Sequence, residues 1–364
     1  SDQIGALSTT QARAFTATQI AAFDATDVSE FTAPQIAALS TTQVSAFSAT
    51  GFGAFADTQI AALTNAQVQS ISTTKITALN ATQAGALSAA QIGALLTTQV
   101  RALSTANLSA FDATQVAALT TTQVGALTAT QLTALTATDI GELAATQIAA
   151  LTVAQIGGLT ATTIGDLADT QVAALTTTQV QALSTANVSA LDATQVGALT
   201  TTQVAALTAA QIGALSPTDV GEFATTQVAA LTTTQAQVFT ATQLSALADT
   251  QVAALTAAQI GAISANKLAG RNAPQVGEFT PIQIGALSAA QLRSFSNANL
   301  SALDATQVGA LNATQVRALT TTQIGALNAT DIGEFNATQV AALATTQVSN
   351  LTAGNVAALI DAQI

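Results

Sequence analysis

The sequence contains no cysteine, histidine, tyrosine, tryptophan or methionine, and charged residues make up only 7% of its 364 residues. Without His, Cys or Tyr, a nucleophile and its base would have to come from Ser, Lys, Asp or Glu. The two lysines, Lys75 and Lys267, stand alone among uncharged residues. We therefore expect no catalytic residue and no enzyme activity. The lack of cysteine says nothing definite about redox state, although it suits an extracellular protein that avoids disulfides.

Positive charge is also scarce, with seven Lys and Arg against nineteen Asp and Glu and a net charge of −12. Neutralising phosphates requires clusters of Lys and Arg, so the composition argues against nucleic acid and anionic membrane surfaces as partners. No stretch approaches the ~18 consecutive apolar residues of a membrane-spanning helix, and we recognise no signal peptide. We expect no membrane insertion.

What the chain has in place of these features is an unbroken period of eight residues. Every eighth residue from Gln3 to Gln363 falls in one register, which Gln occupies in most units, and a typical octad is residues 120–127, Thr-Thr-Thr-Gln-Val-Gly-Ala-Leu. Such a period is typical of solenoids, in which each unit packs mainly on its neighbours. We expect one continuous domain over residues 1–364. Both ends of the sequence lie within the repeat, so we also expect these residues to be part of a longer chain.

Each octad carries the signals of a helix start. Thr120 and Gln123 form the capping-box pattern, in which each side chain bonds the other residue's backbone N–H. The apolar residues on either side of this box, Leu119 and Val124, form a hydrophobic staple, and Leu127 precedes the next cap in the same way. Prolines lie only one or two residues after the cap, where a helix tolerates them; they are Pro34, Pro217, Pro274 and Pro281.

These signals predict an all-α solenoid of short capped helices, one per octad, with Val/Ile and Leu/Phe inside and Thr and Gln outside. One long helix is excluded, because eight residues at ~100° each would rotate the apolar stripe around the rod. A β-solenoid is the alternative, since Thr, Val and Ile favour strands. Pairs of octads forming 16-residue hairpins are one way to build the superhelix. Glycine at positions such as Gly125 disfavours a helix by ~1 kcal/mol unless neighbouring helices approach closely there.

Departures from the register Gln recur as whole motifs. Asn replaces Gln at Asn107, Asn187 and Asn299, each time followed by an apolar residue and Ser. Asp replaces Gln in units that carry a Glu three residues later, giving the pairs Asp27/Glu30, Asp139/Glu142, Asp219/Glu222 and Asp331/Glu334. Many of these motifs, including the two lysines, return 192 residues later, which indicates duplication of a 24-octad block. We expect the recurring departures to lie at contacts between subunits or between successive turns, with neutral duplication as the alternative.

Three chemical interpretations of these motifs remain open. The Asp–Glu pairs share a helix face and could bind Ca²⁺ with oxygens from a neighbouring unit, or could simply be solvated charges near a helix start. The three Asn-x-Ser motifs match the N-glycosylation acceptor, although Asn is also a fair helix-start residue. Repeated Thr-x-Thr runs are typical of ice-binding faces, but such a face needs strands where the first Thr already serves as a cap. No other cofactor is expected.

The Leu-(Thr/Ser)-x-Thr-Gln-(Val/Ile)-x-Ala octads resemble repeat regions of very large, acidic, cysteine-free bacterial surface proteins, often exported by type I systems. The resemblance covers the whole chain and is compositional, so it transfers no functional residue. It implies an extracellular adhesin stalk, surface layer or filament. We expect a structural protein whose partner is itself, as a homo-oligomer or filament. The alternative from another class is a calcium- or ligand-binding surface module, and ice binding is a more remote one.

Overall fold

A computed structural model describes residues 3–359, and within them all regular secondary structure is helical. The helices are four to six residues long and almost every octad contributes one. The chain divides into two compact units, one up to Leu183 and one from Ser184 onwards. The helices of the first unit are α1 (Thr9–Ala12), α2 (Ala17–Ala21), α3 (Ala25–Ser29), α4 (Ala33–Ala38), α5 (Thr41–Ala46), α6 (Ala49–Gly53), α7 (Asp57–Ala61), α8 (Asn65–Ser70), α9 (Thr73–Ala78), α10 (Ala81–Gly85), α11 (Ala89–Ala94), α12 (Thr97–Ala102), α13 (Thr105–Leu108), α14 (Ala113–Ala118), α15 (Thr121–Ala126), α16 (Ala129–Thr133), α17 (Ala137–Gly141), α18 (Ala145–Ala150), α19 (Val153–Gly157), α20 (Ala161–Gly165), α21 (Asp169–Ala173) and α22 (Thr177–Ala182).

The second unit has the same construction. Its helices are α23 (Thr185–Val188), α24 (Ala193–Ala198), α25 (Thr201–Ala206), α26 (Ala209–Ala214), α27 (Pro217–Gly221), α28 (Thr225–Ala230), α29 (Thr233–Val238), α30 (Ala241–Ala246), α31 (Asp249–Ala254), α32 (Ala257–Ala262), α33 (Ala265–Leu268), α34 (Ala273–Gly277), α35 (Pro281–Ala286), α36 (Ala289–Ser294), α37 (Asn297–Leu300), α38 (Ala305–Gly309), α39 (Ala313–Ala318), α40 (Thr321–Ala326), α41 (Ala329–Gly333), α42 (Ala337–Ala342), α43 (Thr345–Val348) and α44 (Ala353–Ala358). The prediction of an all-α repeat superhelix is confirmed, and the β-solenoid alternative is wrong for the described residues.

The predicted capping box starts the helices. At α15, the Thr120 hydroxyl accepts the Gln123 backbone N–H at 3.2 Å, and the Gln123 side chain accepts the Thr120 N–H at 2.7 Å. The cap residue is extended, with φ −70° and ψ 156°, and Leu127 at the end of the helix also leaves the helical conformation, with φ −55° and ψ 139°. Two consecutive non-helical residues bend the chain between one helix and the next. All four prolines lie in the first turn of a helix, as the sequence predicts.

In both units, the helices that pack closely on each other lie three apart in the sequence, as α12 packs on α15 and α25 on α28. Three octads therefore make one turn of the superhelix, and each helix stacks on the helix one turn earlier. The expected pairing of octads into 16-residue hairpins is wrong. A helix of six residues has too little surface for one partner to bury its apolar side, so the turn closes around a shared core instead.

The core is lined by the two apolar positions that the sequence places inside. Val124 is fully buried and Leu127 is 5% exposed, and the equivalent residues of most other octads are buried in the same way. Val348 and Val356, towards the end of the described residues, are exceptions and are exposed. Phenylalanine replaces leucine in the first turns, where Phe15, Phe23 and Phe31 meet edge-on with ring centroids 5.2–6.2 Å apart. The two predicted core positions thus fill the interior of each turn.

Glycine in the middle of the helices is explained by close approach of the next turn. A Cβ added to Gly85 would lie 3.0 Å from the Ala110 carbonyl oxygen, and one added to Gly125 would lie 3.3 Å from that of Ala150. At Gly141 nothing lies within 4 Å. Where Arg293 occupies this position, its Nε donates to the Ala318 carbonyl at 2.8 Å. The position is tight in some turns and open in others, as the presence of arginine there implies.

We expect Thr120→Ala to lower the free energy of unfolding by about 1 kcal/mol, because it removes one of the two capping-box bonds. The other bond should remain, since Gln147 still accepts the N–H of Ala144 at 2.6 Å in an octad whose cap is alanine. Chemical denaturation followed by circular dichroism measures the change. Thr121→Ala, one residue further along at an exposed position, is the matched control and should change stability by much less. Equal effects of the two substitutions would contradict the capping assignment.

Candidate functional site: the glutamine ladder and the acidic units

The register glutamines join each turn to the one before it. Gln123 is 2% exposed, and its Nε2 donates to the carbonyl oxygens of Ile92 at 2.9 Å and Leu95 at 2.7 Å. Both carbonyls lie at the end of α11, where backbone carbonyls run out of helical partners. The Ile92 carbonyl also accepts the Leu95 N–H at 3.1 Å, so Gln123 gives it a second donor. The side chain therefore has two roles: its oxygen caps its own helix, and its nitrogen satisfies the end of an earlier helix.

The same geometry repeats within both units, and we call it the glutamine ladder: a register Gln that donates to carbonyls 28 and 30 or 31 residues earlier. Examples are Gln59 on Val28 and Phe31, Gln147 on Val116 and Leu119, Gln227 on Val196 and Leu199, and Gln347 on Val316 and Leu319, at 2.6–3.0 Å. The valine carbonyl of each pair also accepts a backbone N–H, as Val116 does from Leu119 at 3.1 Å. The larger contribution therefore comes from the bond to the other carbonyl, because a buried carbonyl without a partner costs ~1–3 kcal/mol.

The prediction that Gln lies outside with Thr is wrong. The capping box alone accepts either Glu or Gln, so it does not require the far end of the side chain to be buried. The signal was present in the sequence, because Glu never occupies the register position. A carboxylate could accept the cap N–H but could not donate to the carbonyls behind it.

Most other residues at the register position also reach the preceding turn. Asn107 is 1% exposed and its Nδ2 donates to the Leu79 carbonyl at 3.2 Å, while Asn299 donates to that of Arg271 at 3.1 Å. Lys75 Nζ donates to the Ser45 carbonyl, and burial lowers the pKa of Lys75. Lys267 Nζ donates to the Gln237 carbonyl at 2.5 Å. These substitutions conserve a donor at the position even though they lose the capping box.

The aspartates of two Asp–Glu units make a contact that explains the 32-residue spacing between the Asn and Asp motifs. Asp139 cannot donate, and its Oδ2 instead accepts from Ser109 Oγ at 3.0 Å; Asp331 accepts from Ser301 Oγ at 2.8 Å. Each serine belongs to the Asn-x-Ser motif that begins 32 residues before the aspartate. In these two cases the Asn and Asp motifs are halves of one contact between successive turns. Asn187 and Asp219 have the same spacing, but there Asp219 Oδ1 accepts from the cap of its own helix, Ser216 Oγ, at 2.7 Å.

The same contact bears on glycosylation. The acceptor nitrogen of Asn107 is already bonded to Leu79 in the turn before it, and that of Asn299 to Arg271. Asn187 is likewise 3% exposed. A buried and hydrogen-bonded amide nitrogen cannot be reached by a glycosyltransferase without opening the turn. The three Asn-x-Ser motifs are therefore structural in the folded chain.

The glutamates of the Asp–Glu units lie half-buried at the ends of their helices. The Oε2 atoms of Glu142, Glu222 and Glu334 are buried without a hydrogen-bond partner. Burial raises the pKa of Glu142, and the nearby carboxylates of Asp139 and Asp112 raise it further. Glu222 and Glu334 have pKa values raised by the same causes, with Asp219 and Asp192 beside one and Asp331 and Asp304 beside the other. Glu30 differs, because its Oε2 accepts the Ile4 backbone N–H at 3.1 Å.

In the described residues, no three His, Cys, Asp or Glu side chains come together in a group that could hold a metal ion. The enclosed cavity beside Asp139 has a volume of only ≈ 20 Å³ and is otherwise lined by apolar residues such as Phe111 and Leu127. That is room for about one water molecule. Calcium binding at the Asp–Glu units stays a prediction.

We expect simultaneous replacement of Glu142, Glu222 and Glu334 by Gln to raise the melting temperature at neutral pH. The folded-state pKa of each glutamate lies above its ordinary value of 4.5, so ionisation reduces stability as pH rises through that interval. The reduction is absent well below pH 4.5 and reaches its full size above the folded-state pKa values. The difference from the unmodified chain should therefore vanish as pH falls, as thermal melts between about pH 4 and 8 would show.

The exposed Glu278, which occupies the same place in its octad, provides the control for this experiment. Glu278→Gln should change the melting temperature little at any pH. A stabilisation by the triple substitution that persists unchanged in acid would contradict the assignment, because it could not come from ionisation of the three carboxyl groups.

Comparison with known families identifies the repeat itself. The ALTTAQ repeat matches residues 95–129, 172–209 and 185–217 of the chain. No curated protein is significantly similar to it. Among the described helices, none is long and apolar enough to cross a membrane. The chain is therefore a cysteine-free repeat protein with an ALTTAQ repeat region.

Proposed function

We propose that the protein has a structural role, as the repeat element of an extracellular fibre, sheath, surface layer or adhesin stalk that self-associates. The observation that carries the proposal is the glutamine ladder. Its polar side chains bind the protein's own backbone, as Gln123 does with both ends of its amide. The buried polar side chains, which could otherwise bind a ligand, thus join one turn to the next. Strong bonds between turns are what a spacing or force-transmitting element requires.

Surface charge supports self-association. Only 7% of residues are charged, so copies of the chain repel one another weakly. The outer surface consists largely of Thr, Ser and Ala, as at Thr121 and Thr122. An extracellular location is supported by the resemblance to bacterial surface repeats and by the absence of cysteine, and protease accessibility on intact native cells would test it.

Electron microscopy and light scattering of native material test the structural proposal. We expect regular filaments, tubes or sheets, and a mass that rises with concentration. Replacing the exposed Thr122 and Thr202 by Glu should weaken assembly by adding repulsion, without changing the helical circular dichroism. Replacing the same two residues by Asn is the uncharged control and should leave assembly intact.

Two results would count against the structural proposal. Monodisperse monomers at every concentration would remove self-assembly. Monomers whose melting temperature rises on addition of calcium would favour the alternative, a calcium-binding surface module, because a ligand that binds the folded state stabilises it. Loss of that calcium effect in the Glu142→Gln, Glu222→Gln and Glu334→Gln variant would then locate the binding.

A further inference from the structure

One octad in the second unit breaks the rule that its last residue is apolar. Arg271 takes the place that Leu127 occupies in its octad, and only 3% of its surface is exposed. Its Nη1 donates to the Leu244 carbonyl at 3.0 Å, but Nε and Nη2 are buried without a partner. The guanidinium carbon lies 5.5 Å from the centre of the Phe279 ring. This cation–π contact offsets only part of the cost of removing the group from water.

The bonds around Arg271 are weaker than in other turns. The preceding helix, α33, has only four residues. Its cap Ser264 makes no side-chain capping bond, a feature that it shares with Ser72, the equivalent cap 192 residues earlier. In the following helix, Gln275 is only half-buried and donates to one carbonyl of the earlier turn, that of Ser245 at 2.9 Å. The oxygen of Gln275 accepts its cap N–H at 3.2 Å, a long distance compared with 2.7 Å at Gln123.

The chain contains its own comparison for this segment, 192 residues earlier. Leu79 stands at the place equivalent to Arg271 and is a buried apolar residue of the core. The helix before it, α9, has six residues. Gln83, which is equivalent to Gln275, is buried and donates to Gly53 at 2.9 Å and Phe55 at 2.7 Å. The two segments differ at ten of their sixteen residues, and Arg271 is the one change that places a charged side chain at a core position.

We propose that residues 264–279 form a built-in point of local opening, where the turn separates before the rest of its unit so that Arg271 reaches water. Opening hydrates the two guanidinium nitrogens, Nε and Nη2, that the folded state leaves without a partner. Opening the equivalent turn around Leu79 would instead expose apolar surface. Local opening of this kind occurs where buried contacts are fewest. The proposal does not depend on the structural function proposed above.

Hydrogen exchange of the full chain, resolved by mass spectrometry, tests the proposal. We expect amides of residues 264–279 to exchange at least about tenfold faster than those of residues 72–87, because buried donors without partners favour the opened turn. Arg271→Leu restores the residue type used elsewhere and should abolish the difference. Arg271→Met, which keeps a long unbranched side chain without the N–H groups, should do the same.

Leu79→Arg supplies the converse test and should transfer rapid exchange to residues 72–87. Equal protection of the two segments in the unmodified chain would overturn the proposal. So would an Arg271→Leu variant that folds normally but exchanges as fast as before, because rapid exchange would then come from the backbone of the segment and not from the arginine.

Discussion

Replacing Gln123 by Glu should destabilise its turn by about 3–5 kcal/mol, although the capping box tolerates either residue. One oxygen of the new side chain can still accept the Thr120 N–H. The opposite oxygen, however, would face the carbonyls of Ile92 and Leu95, which now receive two N–H bonds at 2.9 and 2.7 Å. That second oxygen would have neither a hydrogen-bond donor nor a counter-charge, and both carbonyls would lose the Gln123 donor, although the Ile92 carbonyl keeps the Leu95 N–H at 3.1 Å. Urea denaturation at neutral pH measures the loss.

The pH dependence of this variant distinguishes the contribution of the ladder bonds to stability from that of the capping bond. Burial against carbonyls should raise the folded-state pKa of the introduced carboxyl group above its unfolded value, so the variant should gain stability as pH falls through that interval. The protonated carboxyl can again donate one hydrogen bond. Thr122→Glu adds the same charge at an exposed neighbouring position and is the control. If Gln123→Glu proves as stable as the unmodified chain at neutral pH, the ladder bonds contribute nothing measurable.

The second large effect is expected at Phe47. Its ring is 1% exposed and meets Phe31 and Phe55 edge-on, with ring centroids 5.9 and 5.1 Å apart. Phe47→Ala should cost about 3–5 kcal/mol, through lost burial and the cavity left behind. Phe47→Leu introduces the residue found at this place in most octads and should cost less than about 1.5 kcal/mol. The difference between the two variants measures what the wider aromatic core contributes.

The loss at Phe47 should also be local. In a repeat protein each turn contacts mainly its neighbours, so protection from hydrogen exchange should fall near the substitution and persist at residues 145–183 of the same unit. Hydrogen exchange with peptide resolution makes the comparison within one sample. Loss of protection throughout the first unit would show that its turns unfold as a single cooperative body instead.

Local sequence signals predicted the helices well because capping is a local interaction. Thr120 and Gln123 are three residues apart, so both partners of the box lie within one octad. The positions of the prolines and the burial of Val124 and Leu127 follow from the same short segment. The number of helices per turn cannot be predicted from one octad. It depends on the angle that the two non-helical residues set between helices and on packing across the core.

The second role of Gln is a contact over about 30 residues, so one octad read alone shows only half of it. The indications were the missing Glu at the register position and the 32-residue spacing between Asn107 and Asp139, which the Ser109–Asp139 bond explains. The Asp–Glu pairs stand out in the sequence as recurring charged motifs. The aspartates of two of them contact the preceding turn of the same chain, and whether the pairs also bind calcium or a second subunit stays a prediction.

The glutamine ladder also sets an order in which the turns can form. Its donors come later in the chain than the acceptors they bind, as Gln123 follows Ile92 and Leu95. When the chain emerges from a ribosome with its N-terminus first, a new ladder amide therefore meets a carbonyl that has already emerged. Contacts of such short sequence separation form quickly, and growth needs only the last turn as a template. We expect folding to proceed from the first residue towards the last, at the pace at which the chain is delivered.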